Sequence, residues 1–236
     1  LKDIFDTAGV RTTSGSKIMA HRVPAEDARV WAQLRDAGCV LIGKTNLHEF
    51  ARGGTNNNPH YGRCYNPWDA TRTRIPGGSS GGSGAAVAAC LCAGALGTDT
   101  MGSVRTPASR CGIVGIMPTY DLVSRQGVTP LSWSLDHVGP MAHTVIDAAT
   151  MLSLMVDPDA PGGSLKPSDL VPPPEVNVKG TRVGLIKVWW DAYCDEEVGA
   201  AFRRAMDVLM GLGCEVQEVE FPYMPQLYAA GRVVSI

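Results

Sequence analysis

A run of small residues in the first half of the chain constrains its fold more than any other sequence feature. Residues 76–84 read PGGSSGGSG, and the residues that follow, up to position 92, are almost all small and apolar. Glycine has no Cβ and therefore allows a backbone to approach its neighbours closely. The pattern predicts a loop that leads into a helix over residues 83–92, with this helix packed on all sides.

Predicted strands alternate with predicted helices along the chain. In order, these are a helix at 24–37, a buried strand at 39–42, a helical turn at 46–52, a strand at 95–98, a helix at 145–155, a strand at 182–188, an amphipathic helix at 195–212 and a strand at 214–221. Such interleaving argues for an α/β fold in which a mixed β-sheet core is covered by helices on both faces.

Two stretches lack regular patterning. Residues 53–78 are rich in Gly, Asn, Pro and Arg, and carry Tyr61, Tyr65 and Trp68, so we expect an ordered loop that buries these aromatic side chains. Residues 158–174 are rich in Pro, Gly, Ser and Asp, which indicates a surface excursion.

Charge and cysteine content exclude several classes of protein. With a net charge of −2, the sequence has no excess of positive charge for direct binding of nucleic acid or an anionic membrane. No apolar run is long enough to span a bilayer, and the N-terminus does not resemble a signal peptide. The seven cysteines include no CxxC pair, so we expect buried thiols, no metal site and a reducing, cytoplasmic location. The ends of the sequence, Leu1 and an apolar run at 232–236, indicate a fragment of a longer protein.

Residues 38–45, GCVLIGKT, match the spacing of a phosphate-binding P-loop. A P-loop needs a strand before it and a helix that begins at the lysine, whereas here a helix precedes and the interior residues resemble a strand. Backbone amides in a strand cannot surround a phosphate. We therefore expect Lys44 to be solvated or paired, and nucleotide binding is not predicted.

A second motif, GxSxG at residues 77–81, matches the nucleophile elbow of α/β-hydrolases. An elbow follows a buried strand, but the preceding residues 72–76 are charged and contain a proline. It also needs a histidine base, for which His137 and His143 are available. This alternative would make Ser79 the nucleophile.

Five blocks in a fixed order identify a more specific resemblance. They are LKD at 1–3, GKTN at 43–46, the PGGSSGGSG loop, GTDTMGSVRTP at 97–107, and the pair GIVG at 112–115 with SLDHVGP at 134–140. This ensemble resembles the amidase signature family from residue 1 to about residue 155, and the later β-α-β pattern is similar to the continuation of that family. The resemblance implies a single amidase catalytic domain over residues 1–236.

The resemblance also implies a catalytic trio. Ser103 would attack the carbonyl carbon, Ser79 would relay the proton, and Lys2, held neutral, would be the final base. A hydroxyl both donates and accepts hydrogen bonds, so Ser79 suits a relay. A lysine acts as a base near neutral pH only when burial or a nearby cation lowers its pKa. In this family the peptide bond before the relay serine, here Gly78–Ser79, is cis.

The same resemblance assigns supporting roles around Ser103. The oxyanion hole would consist of backbone N–H groups contributed by Thr100, Met101, Gly102 and Ser103. Loop support would come from Gly78, Ser80, Asp99 and Arg105. The Ser80 and Ser83 hydroxyls are expected to cap or hydrogen-bond the start of the following helix. Met101 departs from the family pattern, which has a small residue there; its side chain could narrow the acyl pocket or point away.

These implications favour a free-standing amidohydrolase that cleaves a small carboxamide, with no cofactor. One alternative is the glutaminase subunit of a glutamyl-tRNA-type amidotransferase, which passes ammonia to a partner. Residues 56–62 are more similar to the free-standing enzymes. Another alternative is a non-catalytic relative that binds an amide, with Met101 spoiling the oxyanion hole. The expected partner is a small amide substrate, and a homo-oligomer is left open.

Overall fold

The computed structural model describes residues 1–157, 159, 167–173, 175–186 and 194–234. The chain divides into two compact units, one formed by residues 1–172 with Val234 and one by residues 173–233. In the described residues, no helix is both long and apolar enough to cross a membrane.

The larger unit contains α1 (Arg29–Asp36), a 3₁₀ turn (Glu49–Ala51), β1 (Asn57–Asn58), β2 (Gly62–Arg63), α2 (Gly81–Ala88), β3 (Gly94–Asp99), α3 (Arg105–Cys111), β4 (Val114–Gly115), β5 (His137–Ala142), α4 (Val145–Met155) and α5 (Pro167–Leu170). The smaller unit contains β6 (Arg182–Leu185), α6 (Glu196–Gly211), β7 (Glu215–Glu218) and all but the last residue of α7 (Met224–Val234).

Antiparallel and parallel pairing both occur, so the predicted mixed α/β class is confirmed. In the larger unit β5 lies between β3 and β4 and is antiparallel to both, with Gly94 opposite Ala142 and Asp99 opposite His137. Helices α2 and α4 both contact β3 and β5. In the smaller unit β6 and β7 are parallel, as the β-α-β pattern predicts.

The N-terminal segment is anchored in the core of the larger unit. Ile4 and Phe5 are buried in one apolar cluster with Leu47, Leu96 and Val138. Each fully buried side chain of this size contributes about 1.5–3 kcal/mol to folding. The backbone beside them is also fixed, because the Lys2 N–H donates to the Leu96 carbonyl at 3.2 Å. The first residues of the chain are therefore held against β3.

Two helices agree closely with the sequence pattern, and one is shorter. Helix α4 spans the predicted residues and has Thr144 as its N-cap, whose hydroxyl accepts from the Asp147 N–H at 3.0 Å. Helix α6 has Asp195 in the same role. Helix α1 begins at Arg29 rather than residue 24, because the Ala28 N–H is bonded to the Asp6 carbonyl.

The predicted buried strand at residues 39–42 is wrong. Val40 and Ile42 are 83% and 69% exposed, and they line an open cleft of about 680 Å³. Backbone hydrogen bonds to the N-terminal residues begin at Gly43, whose carbonyl accepts from the Leu1 nitrogen, and continue at Thr45, which donates to the Leu1 carbonyl and forms a parallel bridge with Lys2. Among the described residues, no strand pairs with positions 39–42, and an unpaired apolar run does not form a strand.

The predicted burial of the aromatic residues in the 53–78 loop is also wrong. Trp68 is 74% exposed, and Tyr61 and Tyr65 are 39% and 38% exposed. The loop is nevertheless ordered by polar contacts, since the Trp68 indole donates to the Cys111 carbonyl at 2.7 Å. A hydrogen bond at the ring edge thus fixes the indole while its faces remain at the surface.

All seven cysteines are free thiols, but only part of the expectation of burial is correct. Cys111 and Cys214 are buried, whereas Cys39 and Cys90 are exposed. The described part of the chain contains no cluster of His, Cys, Asp or Glu suited to a metal ion.

Most of the predicted excursion at 158–174, and the end of the predicted strand at 182–188, lie outside the described residues.

Replacing Gly82 tests the close packing at the start of α2. A Cβ at this position would lie 2.2 Å from the Asn46 carbonyl oxygen, which is backbone and cannot easily move. We expect Gly82→Ala to lower the free energy of unfolding of the larger unit by about 1–3 kcal/mol, measured by denaturant titration. Gly43→Ala is the matched control, because nothing lies within 4 Å of its added Cβ. Equal stability of the two variants would contradict the packing argument.

Candidate active site

A buried lysine and two buried hydroxyls form the centre of the site. The Lys2 Nζ donates to the Ser79 Oγ at 2.7 Å and to the Thr98 Oγ1 at 2.7 Å. Lys2 and Ser79 have no exposed surface, and Thr98 is 4% exposed. These partners are 77 and 96 residues from Lys2 in the sequence. Tertiary folding therefore joins two of the three residues predicted for catalysis.

Ser79 is held by the loop that precedes α2. Its carbonyl accepts from the His48 N–H at 3.1 Å, and the Gly78–Ser79 peptide bond is cis, as the resemblance implies. Gly78 is closely covered, since an added Cβ would lie 2.9 Å from the Gly53 carbonyl oxygen. The glycine-rich sequence is thus needed here because other backbone lies directly on the loop.

Burial changes the acid–base behaviour of Lys2. Loss of hydration lowers the pKa of its amine from 10.5 to about 7, while the negative charges of Asp99 and Asp136 act in the opposite direction. A substantial fraction of the amine is therefore neutral near pH 7. A neutral amine can accept a proton through the Ser79 hydroxyl, to which it is hydrogen-bonded.

Ser103 lies in the turn between β3 and α3 and is partly buried. Its carbonyl accepts from the Ser80 N–H at 3.2 Å, which brings the backbone of this turn beside the Ser79–Ser80 segment. All three residues predicted for catalysis therefore belong to one region of the structure.

Asp99 organises the turn that carries Ser103. Its buried carboxylate accepts from the Gly102 N–H at 2.5 Å, from the Val104 N–H at 3.1 Å, and from two guanidinium nitrogens of Arg105 at 3.0 Å. Burial alone would raise the pKa of Asp99, but the hydrogen bonds from Arg105, Gly102 and Val104 outweigh it and keep the pKa below its ordinary value. The contacts agree with the predicted support role of Asp99 and Arg105.

The hydrogen bond between Gly102 and Asp99 affects the predicted oxyanion hole. The Gly102 N–H is directed at Asp99 and is therefore not free to bind an oxyanion in this conformation. For Thr100, Met101 and Ser103 the role in the oxyanion hole stays a prediction. The Met101 side chain is 43% exposed.

The Ser80 and Ser83 hydroxyls form hydrogen bonds at the start of α2, which is the second of their two predicted roles, and do not cap the helix. Ser80 occupies the N-cap position without a side-chain cap bond, and its Oγ instead contacts the Thr98 carbonyl at 3.2 Å. The Ser83 Oγ donates to the Leu96 carbonyl at 2.9 Å. Both hydroxyls tie the helix start to β3, because β3 carbonyls are within reach.

Sequence reasoning missed two polar residues of the site. Thr98 supplies the second acceptor for Lys2, and Asp136 accepts from the Thr100 Oγ1 at 2.5 Å. Both residues lie within the motif blocks at 97–107 and 134–140. A hydroxyl in an otherwise apolar strand was the available signal for Thr98, because a buried hydroxyl needs a partner.

The two competing motifs do not have the required context. Lys44 donates to the Phe5 carbonyl at 2.5 Å and to the Thr12 Oγ1 at 2.8 Å, and it pairs with Asp3, so it is structural. No strand leads directly into Ser79, since β2 ends at Arg63 and the described residues 64–78 form no strand, and the side-chain partner of Ser79 is Lys2 rather than a histidine. His137 and His143 contact backbone carbonyls and the Cys90 thiol, respectively.

Asp99→Asn tests how strongly the turn depends on the carboxylate. The neutral amide cannot pair with Arg105 and presents one acceptor oxygen instead of two, so we expect the Gly102 turn to loosen. Removing one partner of a buried ion pair typically costs about 3–5 kcal/mol, and the exposure of Arg105 places this pair below that range. Thermal unfolding of Asp99→Asn and of the exposed control Asp36→Asn measures the effect. A similar midpoint in both variants would argue against the support role.

Comparison with known proteins agrees with this fold. The family model described as Amidase matches residues 1–234, and the chain belongs to this family. Among curated relatives it is similar to a glutamyl-tRNA(Gln) amidotransferase subunit of Anaeromyxobacter sp. (strain K), with 47% identity over 94% of this chain and 46% of the relative.

Solved structures show the same likeness. The corresponding glutamyl-tRNA(Gln) amidotransferase subunit of Thermotoga maritima superposes with a TM-score of 0.92 at 38% identity, covering 99% of this chain and 52% of that protein. The peptide amidase of Stenotrophomonas maltophilia superposes with a TM-score of 0.82 at 33% identity, covering 98% and 49%. The chain thus spans about half the length of the relatives it matches.

Proposed function

We propose that the protein to which this chain belongs hydrolyses a carbon–nitrogen amide bond through a serine acyl-enzyme. The observation that carries the proposal is the buried 2.7 Å hydrogen bond between the Lys2 Nζ and the Ser79 Oγ. Ser103, the nucleophile that the sequence motifs predict, lies in the turn whose backbone is hydrogen-bonded to Ser80. A nucleophile, a relay hydroxyl and a base of lowered pKa are the groups that such a reaction needs.

The reaction has two halves. The Ser103 Oγ bonds to the carbonyl carbon while its proton passes through the Ser79 hydroxyl to neutral Lys2. The carbon–nitrogen bond then breaks, and the proton returns by the same route to the departing nitrogen. In the second half, water attacks the acyl-enzyme, its proton follows the same relay, and the carboxylate leaves with the serine regenerated.

The developing oxyanion would be stabilised by backbone amides of the 100–103 turn. A single such donor is worth about 3–4 kcal/mol of transition-state stabilisation. Asp99 contributes indirectly, because it fixes the turn through Gly102, Val104 and Arg105. No cofactor takes part in this scheme.

For the substrate, we propose glutamine, with the protein acting as the glutaminase subunit of a glutamyl-tRNA(Gln)-type amidotransferase. The relatives at 42–47% identity support this choice, because each is named as a component of that amidotransferase. This reverses the order favoured by the sequence motifs, in which a free-standing enzyme for small carboxamides came first. The ammonia would pass to partner proteins, and residues 1–236 would form part of one amidase catalytic domain.

A free-standing amidase remains the second candidate, supported by the similarity to a peptide amidase and by residues 56–62, which are more similar to the free-standing enzymes. The two candidates differ in what they need for activity. The full-length protein is assayed for ammonia release from glutamine, alone and with the partner proteins from the same source, beside a panel of small carboxamides. Glutamine hydrolysis that rises with the partners would support the first proposal. Turnover of carboxamides but not of glutamine would favour the second.

A further inference from the structure

One titratable residue outside the trio is hydrogen-bonded to Ser79 through its backbone. His48 donates its backbone N–H to the Ser79 carbonyl, and its imidazole is partly buried. Burial lowers the pKa of this imidazole; Glu49 raises it, and the nearby charge on Lys2 lowers it. The mechanism above makes no use of the imidazole.

The imidazole rests on the backbone of the following loop. A Cβ placed on Gly53 would lie 2.4 Å from the His48 Nε2 and 2.6 Å from its Cδ2, so the ring directly covers Gly53. The Nδ1 lies 3.4 Å from the Thr55 Oγ1, near the limit of a hydrogen bond. The ring therefore contacts residues 53–55 mainly by van der Waals packing.

The same loop, residues 53–56, lies in turn on the backbone that carries Ser79. A Cβ on Gly78 would lie 2.9 Å from the Gly53 carbonyl oxygen and 3.0 Å from the Asn56 nitrogen. The Asn56 side chain is fully buried, and its Oδ1 accepts from the Gly81 N–H at 3.1 Å. The contacts form a continuous stack from the His48 ring through the 53–56 loop to the Gly78–Ser79 backbone.

We propose that His48 is a positioning residue, whose ring holds the 53–56 loop against Gly78–Ser79 and thereby orients the Ser79 hydroxyl between Lys2 and Ser103. The inference rests on the proposed function and names a further residue of that site. The ring acts through its packing and carries no proton in the reaction. A phenyl ring should therefore replace it, whereas a methyl group should not.

The test compares His48→Ala and His48→Phe in the full-length protein by the kinetics of labelling with a fluorophosphonate. In His48→Ala we expect the maximal labelling rate to fall by about ten- to a hundredfold, since small displacements of reacting groups have effects of this size. The probe concentration at half-maximal rate should stay unchanged. His48→Phe should label at close to the wild-type rate. The control is His21→Ala, an exposed histidine in another part of the chain.

Hydrogen exchange on the same variants gives a readout that does not depend on catalysis. Peptides covering residues 53–56 and 78–80 should exchange faster in His48→Ala and return toward wild type in His48→Phe. Unchanged exchange and labelling in His48→Ala would overturn the proposal. Equal loss of labelling in both variants would also overturn it, because it would indicate a proton-transfer role. Absence of labelling in the wild type would contradict the proposed function, while the exchange data would still decide the role of His48.

Discussion

Ser103→Ala is expected to abolish covalent labelling by a fluorophosphonate and to lower the rate of amide hydrolysis by about 10⁴-fold or more. In the wild-type protein the Ser103 Oγ would bond to phosphorus and release fluoride, while its proton passes through Ser79 to Lys2. The alanine variant lacks the attacking oxygen, whereas the buried contact between Lys2 and Ser79 is left intact. The measurement is mass-spectrometric mapping of the adduct in the full-length protein, together with steady-state kinetics.

The control for this experiment is Ser109→Ala. Ser109 is an exposed serine in α3, the helix that follows the turn carrying Ser103, and its variant should label normally. An adduct on Ser79 would contradict the assignment and restore the nucleophile-elbow alternative. If folded wild-type protein formed no adduct, the non-catalytic alternative, in which Met101 spoils the oxyanion hole, would gain support.

Removing the Lys2 amine should have the second largest effect. We expect Lys2→Met, which keeps most of the side-chain volume, to reduce the labelling rate by about 10³-fold, within the range for loss of a general base. The wild-type rate should rise with pH through about 7, because the pKa of Lys2 is lowered to about 7 and only the neutral amine accepts a proton. The variant should lack this rise. Labelling rates from pH 5 to 9 measure both effects.

The control for Lys2 is Lys17→Met, at an exposed lysine, which should keep the wild-type pH profile. If the rise in labelling rate near pH 7 persisted in Lys2→Met, the rise would belong to another titrating group.

The lowered pKa of Lys2 also makes the stability of the fold depend on pH. From about pH 7 up to 10.5 the unfolded chain holds a proton that the folded chain has lost, so this residue makes the free energy of unfolding increase with pH in that window. Lys2→Met should remove this contribution.

Local sequence patterns predicted the regular elements well where the residues interact mainly with near neighbours. Helix α4 has the predicted bounds because an apolar stretch follows a threonine that can cap it. Strand β3 and the parallel β6–β7 pair also follow their patterns. The motif blocks identified the family, and they pointed to Lys2, Ser79 and Ser103 without any knowledge of the contacts between them.

Tertiary structure decided the features that depend on residues distant in the sequence. An apolar run at 39–42 is exposed because no described strand pairs with it, and no local pattern reports that. Thr98 became part of the site because β3 passes beside Lys2. The Gly102 amide is occupied because Asp99 folds back onto its own turn. Side-chain spacing along the chain determines helix and strand periodicity, whereas burial, pKa and hydrogen-bond partners depend on which distant backbones meet.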